Sequence, residues 1–280
     1  METGWGKLHP GGGYDIMGSD RCAGILRGNE IEWVPGKERK MENKLCKDIK
    51  VLASMADHRG ELSIPAVFSL FMDLATEHGA MIRLGYEDLA QNGLFWLTTK
   101  TRIQFGKMPG ILADISAVSW PEKPGRVRCN RFYRLTCGGE LVAQGKTEWA
   151  IIHRETGRLT PLAEVYPEDL THHPEVICEE PFARIRDDFE GCQVLERYRV
   201  RSTDIDLGRH MNNAAYVRVL FGAIPCREWD GRMVREVEVS FKSQSFEGEE
   251  LTICRREAED GFEIGILHAD GKPAAVALIR

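Results

Sequence analysis

The chain reads as an α+β protein built from two successive repeats, each a strand, a long enclosed helix and a run of antiparallel strands. Three observations predict this. One stretch of helical period in each half is apolar around most of its circumference, the mark of a helix with little solvent face. The strand-like segments after each helix follow one another without intervening helices, which argues against alternating βαβ units. A polar turn of similar composition, Asp57-His-Arg-Gly-Glu-Leu in one half and Asp206-Leu-Gly-Arg-His-Met in the other, stands immediately before each helix.

In the first half the pattern begins at Leu45, with a short strand over residues 50–54 and a turn over 57–60. Ser63 supplies a side-chain oxygen for a helix start, and Pro65 is tolerated in the first turn, where its missing N–H has no intrahelical partner. Val67, Leu70, Phe71, Leu74, His78 and Met81 then recur at helical spacing, and Phe68, Ile82 and Leu84 widen the stripe. Alternating segments at 95–105, 111–120, 127–135 and 141–153 predict four strands, with Pro109-Gly110 and Gly138-Gly139 as turn signals between them.

Residues 156–192 carry Pro161, Pro167, Pro174 and Pro181 among many acidic residues and read as a connector. The second half repeats the order: a strand at 194–201, a turn at 204–210, a helix at 213–224, and strands at 234–241, 251–256, 262–268 and 274–279. Ile103-Gln-Phe105 matches Val239-Ser-Phe241 in this repeat, and Gly139-Glu-Leu matches Gly271-Lys-Pro. A helix wrapped by a curved antiparallel sheet is the order of the hotdog domain, and two such domains usually join edge to edge. The expected division is a tandem double hotdog, with domains at 44–155 and 193–280. Residues 1–43, rich in glycine and without periodicity, are expected to form an irregular, mobile extension. Met41 stands just before the first patterned segment, which keeps a later start of translation as an alternative.

With 42% hydrophobic and 29% charged residues the chain can bury a core, and a formal charge of -6 argues against broad nucleic-acid binding. No apolar run approaches the roughly 18–20 residues needed to span a membrane, and the N-terminus has no signal-peptide core. The eight cysteines include no C-x-x-C pair, so a reduced cytoplasmic setting is expected, without a metal or cofactor. His172-His173 lacks further ligands at zinc spacing.

The densest polar cluster is Asp204-Ile-Asp206-Leu-Gly208-Arg-His210-Met-Asn212-Asn213. It sits where a helix N-terminus offers unpaired N–H groups, suitable donors to a developing oxyanion, next to an imidazole and a carboxylate. A plainer reading stays open: Asp206 makes a turn, the asparagines cap the helix, and His210 is a satisfied loop histidine. The first repeat keeps Asp57 but has Glu61 where His210 stands. One copy is furnished for chemistry and the other for structure.

This stretch resembles the D-x-N-x-H-x-N-N-x-x-Y motif of the acyl–acyl carrier protein thioesterases, two-hotdog enzymes of plants and bacteria. The resemblance runs over residues 45–280 and includes Gly93-Leu-Phe-Trp96, Gln104-Phe105, Ser119-Trp120, Arg131-Phe132 and Trp149-Ala-Ile-Ile. It implies hydrolysis of a fatty acyl thioester on acyl carrier protein, which ends fatty acid synthesis by releasing free acid. Asp206 and His210 fall on the motif aspartate and histidine. The motif asparagine is Gly208 here, and the position of the family's catalytic acid aligns with Gln244, which can hold water but cannot act as a carboxylate base. On this basis Gln244→Glu, alone or with Gly208→Asn, is expected to raise the rate.

The resemblance further implies an acidic carrier-protein partner. Arg126, Arg128, Arg131 and Arg134 on one strand, and Arg197, Arg199 and Arg201 on another, either face solvent or serve its docking. A homodimer is an additional expectation. The acyl tunnel is expected among apolar residues of the first helix and sheet, such as Phe68, Met72 and Trp96. The two departures also support another reading, a catalytically weak acyl-binding or regulatory hotdog protein. An acyl-coenzyme A thioesterase or a dehydratase-type hotdog would share the remaining features.

Overall fold

In the computed structural model the described residues are 43–280, together with two short upstream strands. These strands, β1 (Ile25–Arg27) and β2 (Glu30–Glu32), pair antiparallel within a unit of their own. Of the extension expected over 1–43, Asn43 too is described and is buried, while the rest, including Met41, lies outside the described residues.

The first half runs β3 (Leu45–Lys50), α1 (Ile64–Met81), α2 (Tyr86–Ala90), β4 (Leu94–Phe105), β5 (Asp114–Pro121), β6 (Cys129–Cys137) and β7 (Glu140–His153). A short β8 (Leu159–Thr160) pairs with β7. The second half runs β9 (Gln193–Arg199), α3 (Asn213–Gly222), α4 (Cys226–Trp229), β10 (Glu236–Phe241), β11 (Glu250–Ala258), β12 (Gly261–Leu267) and β13 (Pro273–Ile279).

The strand expected at 50–54 lies earlier, at Leu45–Lys50, because Ala53–Met55 wind into a 3-10 turn that leads into the polar loop. The helix expected to reach residue 224 stops at Gly222, in keeping with Pro225, which disfavours helical backbone in the residue before it. Ser63 caps α1 by accepting from the Ala66 N–H at 3.2 Å, with Pro65 in the first turn as expected. The short helix α2 had no periodic signal of its own.

All described strands but the β1–β2 pair join one eleven-stranded antiparallel sheet, ten of them in the order β3-β5-β6-β7-β4-β10-β13-β12-β11-β9 and β8 off this path against β7. The order reads the same from both ends when each first-half strand is matched to its counterpart. The halves meet where β4 pairs with β10, with Arg102 opposite Glu238. Helices α1 and α3 contribute to a single core with the inward residues of both halves, including Phe71 stacked on Tyr133 at 4.2 Å. Gly145 on β7 leaves room for that stack, since a Cβ there would stand 2.8 Å from the Phe71 ring.

Residues 156–192 connect the halves, and they also pack as a strap. Ile185 and Phe189 cover Cys254, Val276 and Leu278, while Ile177 covers Trp120 and Phe132. By strand alternation these side chains project opposite to those that meet the helices. Both sheet faces are thereby buried over long stretches.

The seam carries a buried ion-pair network. Arg102 donates to Glu238 at 2.8 Å, Arg280 reaches Glu236 at 2.5 Å, and the Ala183 N–H donates to Glu238 at 2.7 Å. Glu238 is only 2% exposed. Glu238→Ala should therefore cost stability at the lower end of about 3–5 kcal/mol, because Glu236 still faces the buried Arg102. A lowered denaturant midpoint checks this, and the double change Arg102→Met with Glu238→Leu should recover much of the loss.

Candidate active site

The two polar turns are built on one hydrogen-bond plan. In the first, the Asp57 N–H donates to Glu61 O and the Gly60 N–H to Asp57 O; in the second, the Asp206 N–H donates to His210 O and the Arg209 N–H to Asp206 O. The carboxylate of each aspartate accepts from the N–H two residues on, Arg59 at 2.8 Å and Gly208 at 2.7 Å. Residue 60 is glycine at φ +75°, and its counterpart Arg209 takes the same left-handed region at φ +61° despite its side chain. Asp206 is thus a turn former, as the plainer reading held, whatever else it does. At Asp57, burial alone would raise the carboxyl pKa, but the N–H groups of Arg59 and Glu61 and the Arg59 guanidinium outweigh it and hold the group low.

What differs is the furniture. His210 replaces Glu61, and its Nδ1 lies 3.3 Å from Met211 O and 3.8 Å from Asp206 Oδ1. A carbonyl oxygen can only accept, so this contact assigns the proton to Nδ1 and leaves Nε2 as the basic nitrogen. Gly208 makes room for the ring: a Cβ there would lie 2.6 Å from His210 Nε2. Asn212 caps α3 by accepting from the Ala214 N–H at 2.8 Å, and the motif tyrosine, Tyr216, is buried against Phe241.

Gln244 follows β10 and is exposed. Its chain segment is tied to the turn, since the Met211 N–H donates to Ser245 O at 2.8 Å; in the first half the Leu62 N–H donates to Pro109 O in the same way. Ser243 Oγ contacts His268 Nε2 at 2.8 Å, and His268 contacts Glu249 through Nδ1, which pins the segment from the other side. Asp204, which sequence reasoning set among the polar cluster without a role, is buried and accepts from Tyr198 OH at 2.6 Å and the Arg201 N–H at 2.9 Å. Burial, reinforced by this bond, pushes the Tyr198 hydroxyl up to about 12. Asp204→Ala should leave these donors unmet and cost about 1–3 kcal/mol, read as a lower melting temperature.

His210, Gly208, Leu207 and Gln244 line a cavity of about 430 Å³. Its remaining wall comes from the first half, with Ala75, Thr76 and Gly79 of α1, Tyr86 of α2, Trp96 and Trp149 among them, and from Tyr166 of the connector. The structure thus brings His210 and Gln244 to one cavity, with Asp206 just behind His210. Trp96 lines it as expected, held by its indole N–H donating to Leu84 O at 2.8 Å and by edge contacts with Trp149 and Tyr166. Phe68 and Met72 do not; they belong to the core beneath α1. No residue of α3, whose first turn was expected to receive an oxyanion, is among those that line the cavity.

One wall residue departs from the sequence reading. Arg131, taken there as solvent-facing or carrier-docking, points inward and is 8% exposed. By contrast Arg128 pairs with Glu148 and Arg134 with Glu175 nearer the surface, and Arg197 and Arg199 are exposed on the edge strand β9. Among the described residues no helix is long and apolar enough to cross a membrane.

Comparison with known proteins bears on this arrangement. The chloroplastic acyl-acyl-carrier-protein hydrolase FATB3 of Cuphea viscosissima is 20% identical over 209 residues, covering 70% of this chain and 48% of that protein. The chain thus spans about half the length of the curated relatives it matches. An acyl-ACP thioesterase structure from Bacteroides thetaiotaomicron superposes with a TM-score of 0.77 at 17% identity, covering 87% of this chain and all of that one. The 12:0-ACP thioesterase of Umbellularia californica superposes with a TM-score of 0.74 at 14% identity, covering 88% and 99%. These likenesses show the fold, a tandem of two hotdog units. The acyl-ACP thioesterase N-terminal domain model matches residues 42–170 and the C-terminal domain model residues 190–274, in the order of the two helix-and-sheet repeats, and the chain belongs to that family.

Proposed function

We propose that this protein hydrolyses the thioester of a fatty acyl group on acyl carrier protein and releases the free fatty acid. The observation that carries this reading is one cavity with His210 and Gln244 from the second half on its wall and a mainly apolar lining from the first. A volume of about 430 Å³ suits an acyl chain.

In this reading His210 Nε2 takes a proton from water as it attacks the thioester carbonyl, and returns one to the leaving thiolate. Asp206 stands 3.8 Å from Nδ1 and favours the charged imidazole that forms. Gln244 orients the water without taking its proton. The acidic carrier docks by charge on exposed arginines such as Arg197 and Arg199. The domains at 44–155 and 193–280 divide the labour, the first holding the chain and the second the chemistry, with 156–192 as connector. Work in the cytoplasm and assembly as a homodimer complete the reading.

Release of free thiol from acyl–carrier protein and acyl–coenzyme A substrates tests it. Cleavage of the former, lost in His210→Ala, supports it; no release from either sinks it. Gly208 and Gln244 favour a second reading, an acyl-binding protein with weak turnover. Saturable binding of acyl–carrier protein without thiol release would select that reading.

A further inference from the structure

Arg131 lies on β6 between Cys129 and Tyr133, on the strand face that meets α1, where apolar side chains build the rest of the core. Its guanidinium cannot lose its charge in a protein. Nη1 donates to His78 Nδ1 at 2.8 Å and to Ser119 Oγ at 3.2 Å. Because a guanidinium can only donate, that His78 nitrogen accepts and contributes no negative charge. No carboxylate among the described residues lies within 4.0 Å of Arg131, although every other buried arginine, here Arg102 alone, has one. Both protein bonds fall on Nη1. Nε and Nη2 form the edge that takes a carboxylate side-on through two parallel bonds, and neither has a protein acceptor among the described residues.

An enclosed cation without a counter-ion is costly, and removing it from water is offset only by an anion or by good acceptors. The cavity wall around it offers Cys129, whose thiol burial pushes up to about 11, and Tyr166, whose hydroxyl burial also raises well above its ordinary value. Neither is therefore a source of negative charge at neutral pH. Among the described residues the wall offers Nε and Nη2 no acceptor, so water fills that role until a ligand brings an anion.

We infer that Arg131 forms a carboxylate-binding subsite in the acyl cavity, which selects thioesters whose acyl chain carries a second carboxylate away from the reacting carbonyl. This rests on the thioesterase reading for its chemistry, but binding at the subsite does not depend on turnover.

The test compares N-acetylcysteamine thioesters of a medium-length acyl chain with its ω-carboxy and ω-hydroxy counterparts of equal length. The wild type should favour the ω-carboxy chain in kcat/KM by about tenfold or more, with the ω-hydroxy chain between, as expected for a charge-assisted bond against a neutral one. In Arg131→Met the ratio should fall to about one. Arg131→Lys, which keeps the charge but not the fork, should lose most of it. A wild type that cleaves the plain chain as well as the ω-carboxy chain overturns the inference, as does a preference unchanged in either folded variant. If no thioester is cleaved, the functional reading fails, and amide analogues of the same chains decide the subsite by calorimetry. Tighter binding of the ω-carboxy amide, about tenfold and lost in Arg131→Met, supports it; equal binding overturns it.

Discussion

His210→Ala should lower thioester cleavage by about 10²–10⁴-fold, the usual worth of a positioned acid-base group. The protein should stay folded, because the His210 ring makes only a 3.3 Å contact with Met211 O and a 3.8 Å approach to Asp206. Asp206 calls for a subtler change, since its carboxylate also closes the turn by accepting from the Gly208 N–H. Asp206→Asn keeps an acceptor oxygen for that bond and removes the charge. It should reduce kcat with little change in melting temperature, whereas Asp206→Ala should reduce both. Asp57→Ala removes the matching turn bonds in the first half and should cost about 1–3 kcal/mol with turnover retained. Steady-state thiol release and thermal melts on these variants separate the roles. Activity surviving in His210→Ala but lost in a folded Asp57→Ala would move the site to the first half.

Gln244→Glu should raise the hydrolysis rate, by up to about 10²–10⁴-fold if the new carboxylate takes the proton of the attacking water. The pH profile should gain an acid limb, because the introduced base is lost as it protonates. Gln244→Ala should slow the reaction by removing the water's hydrogen-bond partner. The companion change Gly208→Asn, attractive from the motif alone, has the opposite expected sign here. A side chain at 208 would start 2.6 Å from His210 Nε2 and force the ring out of its place. Gly208→Ala isolates this steric effect and should lower kcat in wild type and in the Gln244→Glu background alike. Rates across pH 5–9 for these proteins check both claims, and a Gln244→Ala variant equal to wild type would mean that residue 244 does not touch the water.

Much of the architecture could be read directly from residue order. Ser63 and Pro65 mark the start of α1 through local chemistry alone, and the helical period from Val67 to Met81 depends only on neighbours along the chain. The correspondence of Asp57 with Asp206 proved to be one hydrogen-bond plan used twice, legible because a turn is specified within a few residues. Of the residues singled out for chemistry, His210 from the polar cluster and Gln244 from the position aligned with the family's acid both reach the cavity. Helix α2 escaped notice because five residues are too few for a period to show.

Arg131 marks where sequence ceased to suffice. Along β6, Cys129, Arg131, Tyr133 and Leu135 share one face, while Asn130, Phe132 and Arg134 share the other. Alternation identifies an inward face only when the outward face is polar, and here Phe132 is buried too, beneath Ile177 of the connector. Both faces carry an arginine and an aromatic residue, so nothing local could say which arginine meets water. Residue order by itself determined the two long helices, the repeat and the polar turn, because each is encoded in contacts a few residues apart. Which arginine is enclosed, which apolar residues line the cavity and whether a side chain fits at 208 were decided only in the tertiary structure. Those outcomes depend on the strap laid across the sheet and on β4 meeting β10, contacts between segments far apart in the chain.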